Sequence, residues 1–131
     1  MSETPTDVER AVRAFVAAIN AHDPGAIMAR CAPGHVFVDS LGDRVTDPDR
    51  IQRGWAWYFA TFPDYRIEIE TLAIASDCVL MSGSASGTHA ASGTPWSIPA
   101  AWKAMVAGTR ITQWQVYADN KPVYEILSRS T

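Results

Sequence analysis

The 131 residues suit one domain with a single core, residues 1–131, and no polar linker divides them. Apolar residues make up 47% and charged residues only 19%, with a net charge of −3. The 11 Lys and Arg residues are scattered without a basic run, which argues against nucleic acid or an anionic membrane as a partner. So thin a charged surface is compatible with part of it being hidden in a homodimer.

From Thr6 to Asn20 the chain predicts an amphipathic helix. Thr6-x-x-Glu9 is a capping box, and Val8, Val12, Phe15, Val16 and Ile19 recur at spacings of three and four. Asp23-Pro24 caps and opens a second, short helix anchored by Ile27 and Met28, which is expected to stop by Pro33-Gly34. His35 to Ser40 predicts a first strand, closed by the turn Leu41 to Arg44. A third helix opens at Asp47-Pro48 and runs through Ile51, Trp55, Tyr58, Phe59 and Phe62; its aromatic residues fall on more than one face, as in a helix that is buried or lines a cavity.

Strand character dominates from there. Tyr65 to Ala75 alternates charged and apolar residues, Cys78 to His89 is rich in small residues, and Pro95 to Ala107 and Arg110 to Asp119 follow, with turns at Ser76-Asp77, Ala90–Thr94 and Gly108. Asn120-Lys121-Pro122 breaks the last strand, leaving Val123 to Leu127 as a short apolar tail. Helices first and an antiparallel meander after is an α+β order. The expected architecture is a cone-shaped, curved antiparallel or mixed sheet wrapped over three N-terminal helices, with a cavity between the layers.

Cys31 and Cys78 are far apart and belong to no zinc or redox spacing, so both read as small buried hydrophobes. His22, His35 and His89 have no local ligand spacing either, and no metal or cofactor is expected. Met1 to Thr6 lacks an apolar core of the secretory type, and no apolar run approaches a membrane span, so a cytoplasmic location is the default.

One carboxylate stands out. On a strand of period two, His35, Phe37 and Asp39 share a face. If Phe37 faces the cavity, so does Asp39, and a carboxylate in apolar surroundings can exchange a proton near neutrality. Alternatively Asp39 accepts hydrogen bonds from the backbone of the Ser40-Leu41-Gly42 turn. On the last strand, Gln113, Gln115, Tyr117 and Asp119 share the face opposite Trp114, Val116 and Ala118. That row is a cavity wall, a solvated face or an interface. Trp55, Trp57, Tyr58, Trp96 and Trp102 either line a hydrophobic ligand site or pack a core; Trp102 and Lys103 cannot both point inward.

The element order and several segments resemble the nuclear transport factor 2-like superfamily, which includes ketosteroid isomerases, SnoaL-like polyketide cyclases and limonene-epoxide hydrolases. Asn20-Ala-His-Asp23 is similar to the Asn-Ala-Gly-Asp turn of ketosteroid isomerases, and Phe37-Val-Asp39-Ser-Leu-Gly42 to their Val-Glu-Asp-Pro-Val-Gly. Phe62-Pro-Asp64-Tyr65-Arg66, Ser86-Gly87-Thr88-His89 and Trp114-x-x-Tyr117-x-Asp119 resemble recurring SnoaL-like segments. The resemblance implies the cone fold and places Asp39 at the general-base position, with Asp119 as a second acid/base. In ketosteroid isomerases the base works with a Tyr and a protonated Asp as oxyanion donors. Here those two positions fall on Phe15 and near Ala101, which donate nothing, so Tyr58, Tyr117 or His89 would have to polarise the carbonyl. The epoxide hydrolases carry an Arg after the strand Trp, where this chain has Gln115. The implied function is a small cofactor-free enzyme moving protons on an apolar carbonyl compound, with Asp39, Asp119, Tyr117 and His89 as catalytic candidates. Phe15, Phe37, Trp55, Tyr58, Trp102 and Gln115 would bind the substrate, a small hydrophobic molecule. A binding module without catalysis and an epoxide-opening enzyme pairing Asp39 with Asp119 are the alternatives.

Overall fold

The computed structural model describes residues 6–129; the Met1 to Pro5 part of the polar N-terminal segment lies outside them. Helices α1 (Asp7–Asn20) and α2 (Pro24–Ala29) come first. Strands β1 (Cys31–Val38) and β2 (Arg44–Val45), helix α3 (Pro48–Thr61), strands β3 (Arg66–Ala75), β4 (Cys78–Thr88), β5 (Pro95–Ala107) and β6 (Arg110–Tyr117), and helix α4 (Lys121–Arg129) complete the order. The strands form one open, mixed sheet in the order β2-β1-β6-β5-β4-β3. All neighbours are antiparallel except β1 and β6, which run parallel. This is the expected α+β cone, with three departures.

The first strand starts at Cys31, four residues earlier than the sequence suggests. Pro33 and Gly34 sit inside it, at a register shift between Cys31 and Val36, where an irregular ladder tolerates a residue without an N–H and a φ of 79° at Gly34. The turn after β1 contains a further short strand, β2. The C-terminal tail is a helix: Val123 and Ile126 are buried, and Pro122 occupies the first turn, where its missing N–H costs nothing.

The helix caps form as the sequence requires. The Thr6 hydroxyl accepts from Glu9 N at 3.1 Å, Asp23 from Ala26 N at 3.0 Å, and Asp47 from Asp49 N at 3.1 Å. α1 buries Ala11, Val12, Phe15, Ala18 and Ile19 against the concave side of the sheet. β5 alternates almost perfectly, burying Trp96, Ile98, Ala100, Trp102, Ala104 and Val106. The opposite, convex side carries Leu80 and Tyr117 in the open.

Curvature has a local cause. The β3–β4 register slips between Ile69 and Thr71, opposite Gly83. A Cβ added to Gly83 would lie 1.8 Å from the Glu68 carbonyl oxygen, so only glycine lets the bulged β3 backbone come that close. β3 and β4 pack against α1, and a hollow lies between the sheet and the helices.

Candidate functional site

The hollow is a cavity of about 610 Å³ between the concave sheet, α3 and α4, within the size range of small-molecule sites. Its inner surface comes from inward positions of the sheet, among them Ile67, Ala85, Ile98, Ala100, Trp102 and Trp114, and from Ile19 of α1. Trp55 and Tyr58 of α3 and Val123 and Leu127 of α4 form the facing walls, and Phe37 of β1 closes one side. Phe37 meets Trp55 edge-on at 5.7 Å, and Trp102 stacks over Trp114 at 6.5 Å. All 5 tryptophans of the chain line this space.

Asp39 follows β1 directly and lines the cavity beside Ser40. The turn-capping expected of it also forms, through one carboxylate oxygen. Oδ1 accepts from Leu41 N at 2.9 Å and Asp43 N at 3.0 Å, which cap the turn. The same turn is closed by Asp39 N to Asp43 O and Gly42 N to Asp39 O, both 3.0 Å, with Gly42 at a φ of 87°. Oδ2 has no partner among the described residues. The two amides thus fix the orientation of the carboxylate.

The polar side chains of the lining include Ser40, Arg50, Arg53, Asn120 and three phenols, of which Tyr124 is exposed while Tyr58 and Tyr65 are half-buried. The Tyr58 and Tyr65 rings meet edge-on at 4.7 Å. Neither hydroxyl has a hydrogen-bond partner among the described residues. Burial pushes the pKa of both well above the ordinary phenol value; the nearby Tyr124 adds to the shift of Tyr58, and Tyr58 to that of Tyr65. Both therefore stay protonated, as hydrogen-bond donors without a protein acceptor.

Tyr65 was not singled out by the sequence, and the structure shows why it points inward. Asp64 accepts Thr88 N at 2.6 Å and the Thr88 hydroxyl at 2.7 Å, and these bonds, the hydroxyl one foremost, hold its carboxyl below the usual range. On the other side His22 Nε2 donates to the Tyr65 carbonyl at 2.6 Å, and the His22 ring stacks on Phe59 at 4.3 Å. His22 adopts a φ of 56°, in a turn whose resembling family segment has glycine. Asn20 adds two bonds to the Ile67 backbone, at 2.9 and 3.0 Å. The signal for Tyr65 was its place in Phe62-Pro-Asp64-Tyr65-Arg66.

The remaining candidates lie elsewhere. Strand alternation sends Trp114, Val116 and Ala118 inward, so Gln115 and Tyr117 stand on the convex side, Gln115 bonded to Gln113 and Tyr117 about half exposed. Asp119 turns outward, accepts from Lys121 N at 3.0 Å and lines a shallow surface groove instead of the cavity. His89 is buried in the β4–β5 hairpin, where Nδ1 meets the Ser92 hydroxyl at 2.8 Å, away from the cavity lining. Phe15 is fully buried behind Trp114, 5.0 Å between centroids, and beside His35. Phe37, Asp39, Trp55, Tyr58 and Trp102 are the candidates that come together. Among the described residues no three His, Cys, Asp or Glu side chains converge as metal ligands, and no helix is long and apolar enough to cross a membrane.

Residues 12–114 match the family model of the SnoaL-like domain. No curated protein matches the chain. Among solved structures, a hypothetical protein with a ketosteroid isomerase-like fold from Catenulispora acidiphila, in complex with trimethylamine, has a TM-score of 0.74 at 26% identity, over 82% of this chain and 83% of its own. A candidate SnoaL-like polyketide cyclase from Shewanella putrefaciens reaches 0.81 at 17% identity, over 97% and 99%. TerC, co-crystallised with polyporic acid, reaches 0.80 at 15%, over 94% and 99%. At such low identities the last two speak for the fold alone.

Proposed function

This chain belongs to the SnoaL-like domain family, and on that premise we propose that it is a small enzyme of the isomerase or cyclase type, acting on an apolar, ring-containing carbonyl compound. The observation that carries this reading is the pairing, around one aromatic cavity, of an oriented carboxylate with a free oxygen and two unpaired phenols. Asp39 Oδ2 takes a proton from the carbon next to the carbonyl. The negative charge moves to the carbonyl oxygen, where the Tyr58 and Tyr65 hydroxyls donate to it. The enolate is then reprotonated at another carbon by the Asp39 carboxyl, or its carbon attacks a second carbonyl of the same molecule and closes a ring, the new alkoxide taking up a proton and Asp39 giving its own back to solvent. The phenols supply the stabilisation that Phe15 and Ala101 cannot, and each donor of this kind is worth roughly a hundredfold or more in rate. Solved neighbours holding trimethylamine and polyporic acid support small-molecule binding in this fold.

The test is hydrogen exchange into enones and polyketide-like aryl ketones in heavy water, followed by NMR. Wild type exchanges the protons next to the carbonyl and Asp39→Asn does not; equal exchange by the two would remove Asp39 as the base. The rival reading, a binding module, is favoured by the turn-capping of Asp39 Oδ1 and gives binding of the same compounds with no exchange by wild type. Epoxide opening needs Asp39 and Asp119 on one water, and the outward turn of Asp119 speaks against it. The exposed Leu80 and Tyr117 on the convex sheet support a homodimer through that side, measurable by sedimentation of wild type against Tyr117→Lys.

A further inference from the structure

The mouth of the cavity is opposite in charge to the chain as a whole. The chain carries −3, but the charged side chains lining the cavity are Arg50, Arg53 and Asp39, two positive against one negative, or +1. Arg50 and Arg53 are three residues apart on α3 and so share a face. Both are exposed, and neither has a carboxylate within ion-pair distance among the described residues. Asp47, near them in sequence, is engaged in capping and accepts from Asp49 N at 3.1 Å.

Arginines on an exposed helix often serve only to keep it solvated. Here the distribution argues otherwise. Of the exposed α3 positions outside the cavity lining, Gln52, Ala56 and Ala60 are uncharged and Asp49 is acidic, whereas both arginines of the helix fall on the cavity side, with Trp57. A pair of guanidinium groups without protein partners, at the lip of an apolar space, matches a ligand anion whose body lies inside.

We propose that the cavity selects an amphipathic carboxylate, with a ring system against the tryptophans and its anion held at the mouth by Arg50 and Arg53. Asp39, the acid among the lining charges, repels the same anion, so the two signs give the ligand a single orientation. The inference rests on the reading of the cavity as a small-molecule site and narrows it to a substrate class.

The test uses naphthoate and naphthamide, matched in shape and differing in charge. Binding is followed by quenching of intrinsic tryptophan fluorescence, since all 5 tryptophans line the cavity. Two exposed charge contacts should make naphthoate bind about fivefold to tenfold more tightly than naphthamide at low salt. The preference should shrink with added sodium chloride and fall to about one in the double variant Arg50→Gln, Arg53→Gln. Equal affinities in wild type, or a preference that survives in the double variant, would overturn the anion assignment and leave the cavity as a neutral-ligand site. Failure of both compounds to bind would overturn the cavity reading as well.

Discussion

Replacing Asp39 separates its two duties, because they use different oxygens. Oδ1 accepts the Leu41 and Asp43 amides at 2.9 and 3.0 Å. Asn retains an acceptor oxygen at that place, so Asp39→Asn should keep both bonds and change stability by less than about 0.5 kcal/mol. Ala keeps neither. A hydrogen bond contributes roughly 0.5–1.5 kcal/mol net, and these lie at a half-exposed turn at the low end of that range, so Asp39→Ala should lose about 1–2 kcal/mol. With a urea dependence of about 1–2 kcal/mol per molar for a chain of this size, the unfolding midpoint should drop by on the order of 1 M for Ala and scarcely move for Asn. In the proposed reaction both variants lose the base, a loss of about a hundredfold to ten-thousandfold. Tryptophan fluorescence in urea measures the first effect and isotope exchange the second. If Asn falls as far as Ala in urea, charge and not acceptor geometry holds the turn, and the rate loss in Asn no longer reports on a base alone.

Gly83→Ala should destabilise by about 2–3 kcal/mol, since its Cβ meets the Glu68 carbonyl oxygen at 1.8 Å and backbone cannot step aside cheaply. Gly54→Ala, with nothing within 4 Å and helical surroundings, should instead stabilise by up to about 1 kcal/mol; thermal unfolding by circular dichroism ranks the two. His35 donates Nδ1–H to the Ile111 carbonyl at 2.8 Å while its buried Nε2 lacks a partner; burial lowers its pKa from 6.5, against a smaller upward effect of the Ile111 bond. Above pH 6.5 both states are neutral and the full stability is present. As pH falls below 6.5 the unfolded chain takes a proton that the folded chain resists, so stability drops by up to about 1.4 kcal/mol per pH unit until the folded pKa is reached. Urea midpoints between about pH 7.5 and about pH 5.5 should therefore fall more for wild type than for His35→Leu, and equal falls would assign the pH response to other groups. The Cys31 thiol is buried beside the Ile27 carbonyl and pushed up to about 11 by that burial, whereas Cys78 is only half-buried. A thiol reagent at neutral pH should modify Cys78 alone in the folded protein and both cysteines in urea.

Much of this architecture is written locally. Asp23-Pro24 and Asp47-Pro48 announce two helix starts, and the spacing of Val12, Phe15 and Ile19 announces the buried face of α1. The same cap-then-proline grammar opens α4, where Asp119 bonds Lys121 N and Pro122 follows. That helix was missed because the sequence rule for proline as a breaker competes with the rule for proline in a first turn. Alternation divides β6 into two faces but cannot say which looks inward. Gln113, Gln115 and Tyr117 carry the polar chemistry that suggests a site, yet burial of Trp114 is worth far more than exposure of two amides, and it decides the matter. The bulge opposite Gly83 is a contact between strands that no local pattern encodes, and the cavity likewise is lined by residues far apart in sequence. Pattern alone left Phe37, Trp55, Tyr58 and Trp102 open between cavity and core and Asp39 open between cavity and turn, the resemblance implying the cavity for Asp39, while Tyr65, Arg50 and Arg53 emerge only from the packed structure.

The relocation of the hydrogen-bond donors carries a consequence for the substrate. In the resembling isomerases a donor stands on the first helix, at the position of Phe15. Here that side chain is fully buried between Trp114 and His35, so a hydroxyl placed there would meet no ligand. The phenols proposed in its place come from α3 and from the residue just before β3, and Arg50 and Arg53 stand on α3 as well. In the proposed reading, the donor phenols and the anion-binding guanidinium groups share the α3 side of the cavity, with Asp39 contributed from the end of β1. In the proposed reaction the carbonyl oxygen and the ligand's carboxylate would both turn towards α3, and the carbon that loses its proton towards β1. Such an arrangement favours a substrate whose carboxylate and ketone lie on the same edge of a ring system, with the acidic carbon on the edge facing Asp39.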